Sequence, residues 1–189
     1  DFIGSVYVWD GSGYQTRAGG VGGAQFISPN QAFFVRSQGI TGSHTIPQSA
    51  RDLTATSPSY FKTSQEIVLN LAGEGYSVNS YVVENSIASF GFDSEFDAYY
   101  VYPAYDAPMF NSVGIDSTSY SINQYPDLTV NPLYFTFYYP ENSKSFTISL
   151  DKTNAPALNF IVLEDLYTGT FTDLLATDYT FNSTNMANM

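Results

Sequence analysis

The sequence predicts an all-β protein, an antiparallel β-sandwich of jelly-roll or immunoglobulin-like kind with almost no helix. Composition is the first reason: aromatic residues make up 17% of the chain, mostly 16 Tyr and 15 Phe, and such residues favour strands. Spacing is the second, because short apolar or alternating runs recur between turn residues without helical periodicity. At 189 residues, we expect one domain, 1–189, or two tightly packed sub-sandwiches divided near 55–65.

The strands in the first half of the chain are predicted from short runs between turns. These runs are residues 6–9, 14–16, 24–27, 32–36, 44–46, 66–71 and 80–84. The first two form a hairpin across the Asp-Gly pair at 10–11, which tolerates the positive φ angles of a tight turn. The last two form the clearest hairpin, because Ile67, Leu69 and Leu71 share one face. Only residues 48–53 are compatible with a helical turn.

The second half of the chain continues the pattern. Its predicted strands are residues 119–122, 133–139, 145–150, 157–164 and 179–181. We expect 133–139 to pair with 145–150 across a turn at 140–143. Residues 157–164 form the longest apolar run, so we expect a central strand there.

Charge and cysteine usage narrow the class of protein. Six basic residues against eighteen acidic ones give a formal charge of -12 and a pI near 4.1. That field repels phosphate backbones and argues against a nucleic-acid partner. The chain has no cysteine, which excludes disulfides, thiolate metal sites and thiol catalysis. No apolar run has membrane-spanning length. We expect this chain to be a fragment of a larger secreted protein.

Catalytic motifs are missing from the sequence. The single histidine, His44, lies in a Gly/Ser/Thr-rich segment, and no Gly-x-Ser-x-Gly elbow accompanies it. The Gly-rich segment 19–23 lacks the Lys-Ser/Thr that completes a phosphate loop. Eighteen acids offer many carboxylate pairs, but nothing selects one pair for glycoside hydrolysis. We therefore predict a protein that is not an enzyme.

The acidic and aromatic stretch at 91–102 is the strongest candidate for a metal site. Asp93, Glu95 and Asp97 alternate with other residues, so an extended chain would present three carboxylates on one face. Oxygen ligands of this kind suit calcium. The stretch departs from the EF-hand loop, because Ala98 stands where Gly is needed and no Glu closes the loop. The competing interpretation is a turn capped by Asp93 and Asp97 that leads into a strand.

Trp9 is the candidate for stacking on a sugar ring. It lies beside a predicted hairpin turn, where an exposed indole would offer an apolar platform. The competing interpretation is that Trp9 is a core residue of its strand.

Several segments, in order, resemble a known family. They are residues 27–35, 75–77 with 81–83, 91–93 with 97–99, 107–108, 163–169 and 179–181. Together they resemble an all-β module of secreted and cell-surface proteins of Bacteroidetes, which precedes a C-terminal type IX secretion sorting domain. The resemblance implies an extracellular or outer-surface location and a non-catalytic role as a spacer or in adhesion. It brings no catalytic residues.

One further motif fits that context. Asp116-Ser117-Thr118 resembles the acceptor for O-glycosylation in these bacteria, with Ser117 as the modified residue. An exposed turn is the competing interpretation.

The sequence thus leads to three functional hypotheses. The first is a non-enzymatic, extracellular or cell-surface module for adhesion or for assembly of a larger type IX-secreted protein. The second is a carbohydrate-binding module of a polysaccharide-degrading enzyme. The third is a subunit of an extracellular filament completed by strand exchange. The expected partners are other domains of its own precursor, neighbouring copies or surface glycans.

Overall fold

The computed structural model describes residues 2–9, 13–19, 21–23, 27, 32–37, 45, 65–103, 107–129, 132–153, 155 and 160–184. Within these ranges every regular element is a β-strand and no helix occurs, which confirms the predicted all-β class. The strands are β1 (Phe2–Trp9), β2 (Tyr14–Ala18), β3 (Val21–Gly22), β4 (Phe33–Ser37), β5 (Glu66–Gly73), β6 (Tyr76–Glu84), β7 (Ala98–Tyr99), β8 (Met109–Val113), β9 (Ser119–Tyr125), β10 (Tyr134–Tyr138), β11 (Ser145–Leu150), β12 (Val162–Asp165), β13 (Thr170–Asp173) and β14 (Tyr179–Asn182).

The described strands form three sheets. The small sheet has four strands in the order β3-β2-β1-β4. The large sheet has eight, in the order β10-β8-β9-β6-β5-β11-β14, with β7 joined to β9. Strands β12 and β13 form a separate hairpin. All pairs are antiparallel except β6 and β9, which run parallel over residues 81–84 and 122–125.

The β5–β6 hairpin shows how local sequence sets register. Glu74 and Gly75 have φ angles of 52° and 84°, the conformation that two-residue hairpin turns require at both positions. The ladder then runs from Gly73 opposite Tyr76 to Glu66 opposite Val83. This hairpin confirms the prediction made from the alternation of apolar residues.

Two buried clusters hold the layers together. The smaller cluster joins the small sheet to the large sheet. Its members are Tyr7, Ala18 and Val21 of the small sheet and Val83, Ala98 and Ile122 of the large sheet. The larger lies inside the curl of the large sheet and includes Ile67, Leu69, Leu71, Val82, Phe110, Phe146, Ile148, Leu150 and Leu174. Packing of sheet against sheet confirms the β-sandwich.

Two predictions are wrong, one about strand pairing and one about the position of a strand in its sheet. Strand β10 pairs with β8, and β11 pairs with β5 and β14, so 133–139 and 145–150 do not form a hairpin. They meet through side chains instead, with the rings of Phe137 and Phe146 5.1 Å apart. The apolar run at 157–164 ends in β12, which pairs only with β13 among the described strands, so this part is not a central strand.

Several sequence predictions concern other parts of the chain. The runs at 24–27 and 44–46, the helical turn at 48–53, His44 and the division near 55–65 fall almost entirely outside the described residues. They stay predictions.

Candidate functional site

Asp97 organises the turn that precedes β7. Its side chain is 0% exposed. One carboxylate oxygen, Oδ2, accepts a hydrogen bond from the backbone N–H of Asp93, and Oδ1 accepts one from the backbone N–H of Gln124, both at 2.7 Å. The carboxylate therefore ties the turn to strand β9.

The same turn also contacts the small sheet. The N–H of Gly4 in β1 donates to the carbonyl of Ser94 at 3.0 Å. From β9, Nε2 of Gln124 donates to the carbonyl of Phe96 at 2.9 Å. Gly19, which has a φ of 54°, lies close to the side chain of Gln124. A Cβ at this position would be 2.8 Å from Nε2 of Gln124. Both layers of the sandwich thus meet at this turn.

The acidity of Asp97 reflects its surroundings. Burial raises the pKa of Asp97 from 3.8 to about 6, because the ionised carboxylate loses its hydration. The hydrogen bonds from the N–H groups of Asp93 and Gln124 act in the opposite direction. Each oxygen of this buried carboxylate is thus bonded to a backbone N–H group, which stabilises the turn.

The aromatic residues of this stretch are also part of the packing. The rings of Phe92 and Tyr99 stack with centroids 4.1 Å apart. Tyr120 lies nearly parallel to both, at 6.3 and 5.8 Å. The guanidinium of Arg36, from β4, lies 4.0 Å from the centroid of the Tyr99 ring, a cation–π contact between the two sheets.

The three carboxylates predicted to bind calcium have separate environments. Asp93 accepts a hydrogen bond from the N–H of Ser89 at 2.5 Å, Glu95 is exposed, and Asp97 is bonded as described above. Among the described residues, no three or more His, Asp or Glu side chains come together as a metal-binding group. The observed bonds are those of a capped turn, and calcium binding stays a prediction.

Trp9 lies at the rim of the small sheet, 38% exposed. Its ring meets that of its cross-strand partner Tyr14 edge to face, with centroids 5.2 Å apart. Tyr14 in turn meets Phe34 of β4 edge to face at 5.9 Å. The three rings form one continuous cluster, which we call the aromatic rim.

A shallow depression lies beside the aromatic rim, with room for about one water molecule. Its lining combines residues of β2, β6, β9 and the segment after β7: Gly13, Tyr14, Val78, Asn79, Tyr100, Val101, Pro103, Pro108 and Ser121. None of these carries a formal charge. Burial raises the pKa of Tyr100 to about 12, so its hydroxyl stays protonated at neutral pH.

Amide side chains continue from the floor of the depression along the outer face of the β5–β6 hairpin. Nδ2 of Asn70 donates to Oγ of Ser77 at 2.9 Å and to Oδ1 of Asn79 at 2.8 Å. Nδ2 of Asn79 donates to the hydroxyl of Tyr81 at 3.3 Å. Within the described contacts, these bonds join the three side chains into one network on the hairpin. We call Asn70, Ser77 and Asn79 the amide shelf.

Sequence reasoning identified Trp9 but missed Tyr14 and the amide shelf. A signal was present: Asn70 and Asn79 face each other in the hairpin register, at polar positions opposite the apolar face of Leu69 and Leu71. Tyr14 and Asn79 line the same depression because of how the two sheets pack, which strand periodicity does not encode.

Ser117 occupies a tight exposed turn between β8 and β9, with φ 63°. Its N–H donates to the carbonyl of Gly114, whose own N–H donates to the carbonyl of Thr118, both at 2.9 Å. Oδ1 of Asp116 accepts from the N–H of Thr118 at 3.0 Å, and Oδ2 accepts from the hydroxyl of Tyr120 at 3.0 Å. These bonds form an exposed turn, as one interpretation predicted, and glycosylation of Ser117 stays a prediction.

The β12–β13 hairpin carries the largest group of exposed apolar side chains in the described part of the chain. The group, which we call the hairpin patch, consists of Phe160, Val162, Leu166, Tyr167 and Phe171. Leu166 is 74% exposed and Phe171 66%. On the opposite face Leu163 packs against the large core cluster. The hairpin is therefore anchored on one face and open on the other.

Together, the fold and these surfaces define an all-β sandwich with two candidate binding faces. In the described ranges no helix is long and apolar enough to cross a membrane. Comparison of the chain with protein-family models, curated proteins and solved structures gave no match.

Proposed function

We propose that this chain is a non-enzymatic β-sandwich module of a secreted or cell-surface protein. Its role would be adhesion or assembly of a larger protein of the kind exported by type IX secretion in Bacteroidetes. The observation that carries the proposal is the hairpin patch, because several exposed apolar side chains on one hairpin are typical of an interaction site. The resemblance in sequence and the acidic, cysteine-free composition support the extracellular setting.

The geometry of the hairpin suits docking against another protein surface. Val162, Glu164 and Phe171 lie on its outer face, since Glu164 pairs with Phe171 in the register. The inner face is held in place: Oδ2 of Asp165 accepts a hydrogen bond from the hydroxyl of Tyr179 in β14 at 2.5 Å. A patch held rigidly in this way loses little conformational entropy when it binds.

Charge indicates the kind of partner. The exposed carboxylate of Glu164 lies directly beside Phe171, and the whole chain carries a formal charge of -12. Two copies meeting at this face would bring like charges together, which costs free energy on association. The partner is therefore a different protein surface, apolar at its centre and basic at its rim.

Site-specific photocrosslinking tests this proposal. A benzophenone amino acid replaces Phe171 in the full-length protein on its native cells, and a matched control replaces Ile87, an isolated apolar residue that is 75% exposed. We expect the probe at Phe171 to link to another domain or another protein, and the probe at Ile87 to give no defined product. Linkage to a second copy of the chain, or equal products from both positions, would contradict the proposal.

A further inference from the structure

We propose that the outer edge of strand β12 binds an extended segment of the partner, which adds to the β12–β13 hairpin as a third strand. The segment carries apolar side chains along the hairpin patch and a basic side chain beside Glu164. This binding mode rests on the proposed function, since the hairpin patch supplies the side chains around the edge. It adds backbone hydrogen bonds to a site that the proposed function describes by side chains alone.

The hydrogen-bond pattern of the β12–β13 hairpin shows which backbone groups face outward. The N–H of Leu174 donates to the carbonyl of Ile161 at 2.8 Å. These two residues stand one pair beyond Val162 and Asp173 in the register. Bonded and non-bonded pairs alternate along an antiparallel ladder. Val162 and Glu164 therefore belong to non-bonded pairs, and their N–H and C=O groups point away from β13.

The outer edge of β12 is unpaired within the described part of the chain. Strand β13 is the only described neighbour of β12, and no described hydrogen bond reaches the outward backbone groups of Val162 or Glu164. The outer edge of β13 differs, because the carbonyl of Asp173 accepts hydrogen bonds from the N–H groups of Ala176 and Thr177, both at 3.0 Å. Unpaired donors and acceptors along a strand edge are a template for another strand.

The side chains around this edge favour an apolar segment. Strand β12 has four residues, so its ladder bonds alone would give a short contact. Val162 is exposed on the same face as Phe171, and Phe160 is exposed just before the strand. In strand addition the main chain provides affinity, and contacts of alternate side chains provide specificity. A segment along β12 would therefore place every second side chain against this apolar surface.

Charge determines which side chain stands beside Glu164. Its carboxylate is exposed on the outer face of the hairpin, and the chain as a whole has a formal charge of -12. Opposite charges directly across a strand pair stabilise the pairing, whereas like charges destabilise it. The added segment is therefore basic beside Glu164, and a second copy of this acidic chain is disfavoured.

Amide hydrogen exchange of the unaltered chain, followed by NMR, tests whether the edge is open. We expect the N–H groups of Val162 and Glu164 to exchange at nearly the rate of an unfolded peptide, because no acceptor faces them. The N–H of Leu163 should exchange at least about tenfold more slowly, since Leu163 forms a bonded pair with Thr172. If Val162 and Glu164 are as protected as Leu163, the edge is already covered and the inference is overturned.

Proline substitution tests the added strand in the full-length protein on its native cells. Val162→Pro removes an N–H that points outward, so the hairpin keeps its ladder while the edge loses a donor. Val162→Ala is the matched control, because it keeps the N–H. Each substitution is combined with the photocrosslinking probe at Phe171. We expect Val162→Pro to reduce the crosslinked product about fivefold or more, and Val162→Ala to retain most of it. Glu164→Pro removes the other outward N–H and repeats the test at a second position.

The crosslinked products distinguish strand addition from the proposed function. Loss with Val162→Pro but not with Val162→Ala supports strand addition. A product that persists with both variants, or that is lost equally with both, overturns strand addition and leaves side-chain docking at the hairpin patch intact. If the protein without these substitutions gives no product at Phe171, the proposed function and strand addition both fail.

Reversal of one charge tests the basic side chain of the segment. Glu164→Lys should reduce the product at Phe171 severalfold, because it places two cations side by side in the strand pair. Glu164→Gln, the uncharged control of similar size, should reduce it less. Equal amounts of product from the original protein and from Glu164→Lys would contradict a basic segment.

Discussion

Phe137 and Phe181 meet edge to face with ring centroids 4.9 Å apart, although their strands, β10 and β14, stand at opposite ends of the large sheet. The sheet therefore curls until its two edges approach each other. Phe146 of β11 packs beside both rings, 5.1 Å from Phe137 and 6.3 Å from Phe181. Among the described strands, side chains and not ladder hydrogen bonds close this curl, so the fold depends on a few aromatic contacts between residues distant in sequence.

Removing one of these aromatic rings should destabilise the folded chain. Phe137→Ala is expected to lower the free energy of unfolding by about 2–4 kcal/mol, at or slightly below the range for fully buried Phe because Phe137 is only partly buried. Urea denaturation measures the change. A double-mutant cycle with Phe181→Ala should give a coupling energy of about 1 kcal/mol. Tyr138→Ala is the control, because Tyr138 is an exposed neighbour on the same strand. A coupling energy of zero between Phe137 and Phe181 would show that the two edges of the sheet do not meet.

Stability should depend on pH through Asp97. Its pKa is raised by burial to about 6 in the folded chain, above the ordinary value of 3.8. Stability from this group is therefore fully present below pH ~4 and is lost as the pH rises through about 6, because ionisation favours the unfolded chain. The loss reaches up to about 3 kcal/mol.

Other groups titrate in the same range, so Asp97→Asn provides the comparison. Chemical denaturation of both chains between pH 4 and pH 7 gives their difference in unfolding free energy. We expect the wild type to lose stability relative to Asp97→Asn as the pH rises. A difference that stays constant across this range would mean that Asp97 titrates normally.

Two buried hydroxyls suggest stabilising substitutions. Within the described residues, Oγ1 of Thr16 and Oγ of Ser80 have no hydrogen-bond partner, so each bears a desolvation penalty. Thr16→Val and Ser80→Ala should each raise the free energy of unfolding by up to about 1 kcal/mol. Ser112→Ala is the matched control, because Oγ of Ser112 donates to the carbonyl of Tyr120 at 3.2 Å and its loss should destabilise the chain. Thermal unfolding measures the three variants, and equal destabilisation by Thr16→Val, Ser80→Ala and Ser112→Ala would contradict the prediction.

Gly22 should tolerate no side chain. Its φ is 96°, and a Cβ there would lie 1.9 Å from the carbonyl oxygen of Thr16. Gly22→Ala is therefore expected to cost more than about 4 kcal/mol or to prevent folding. Gly75, with φ 84° and no atom within 4 Å of its Cβ position, bears only the conformational cost, about 1 kcal/mol for Gly75→Ala. Circular dichroism and denaturation distinguish the two, and similar stability of both variants would disprove the contact.

Much of the strand content could be predicted from the sequence, whereas much of the pairing could not. The β5–β6 hairpin was predictable because alternation and turn chemistry are local signals. Strand β8 was missed because Asn111 and Ser112 interrupt its apolar character, yet both are buried. Their polar atoms are satisfied across strands: Oδ1 of Asn111 accepts from the hydroxyl of Thr136 at 3.1 Å.

Partner choice between distant strands explains the remaining errors. The parallel contact of β6 with β9 and the contact of β10 with β8 depend on the curl of the sheet, which no local pattern reveals. The candidate site likewise depends on contacts that local sequence patterns do not reveal. Trp9 was identified by its residue type alone, but Tyr14 and Asn79 line one depression only when the small sheet packs on the large one.

The proposed function requires that this chain is displayed outside the cell. Protease treatment of intact native cells, followed by immunodetection of the chain beside a cytoplasmic marker protein, tests it most directly. We expect the chain to be degraded or released while the marker stays intact. If the chain survives at a protease concentration that degrades it in lysed cells, it is not displayed on the surface and the proposed function is wrong.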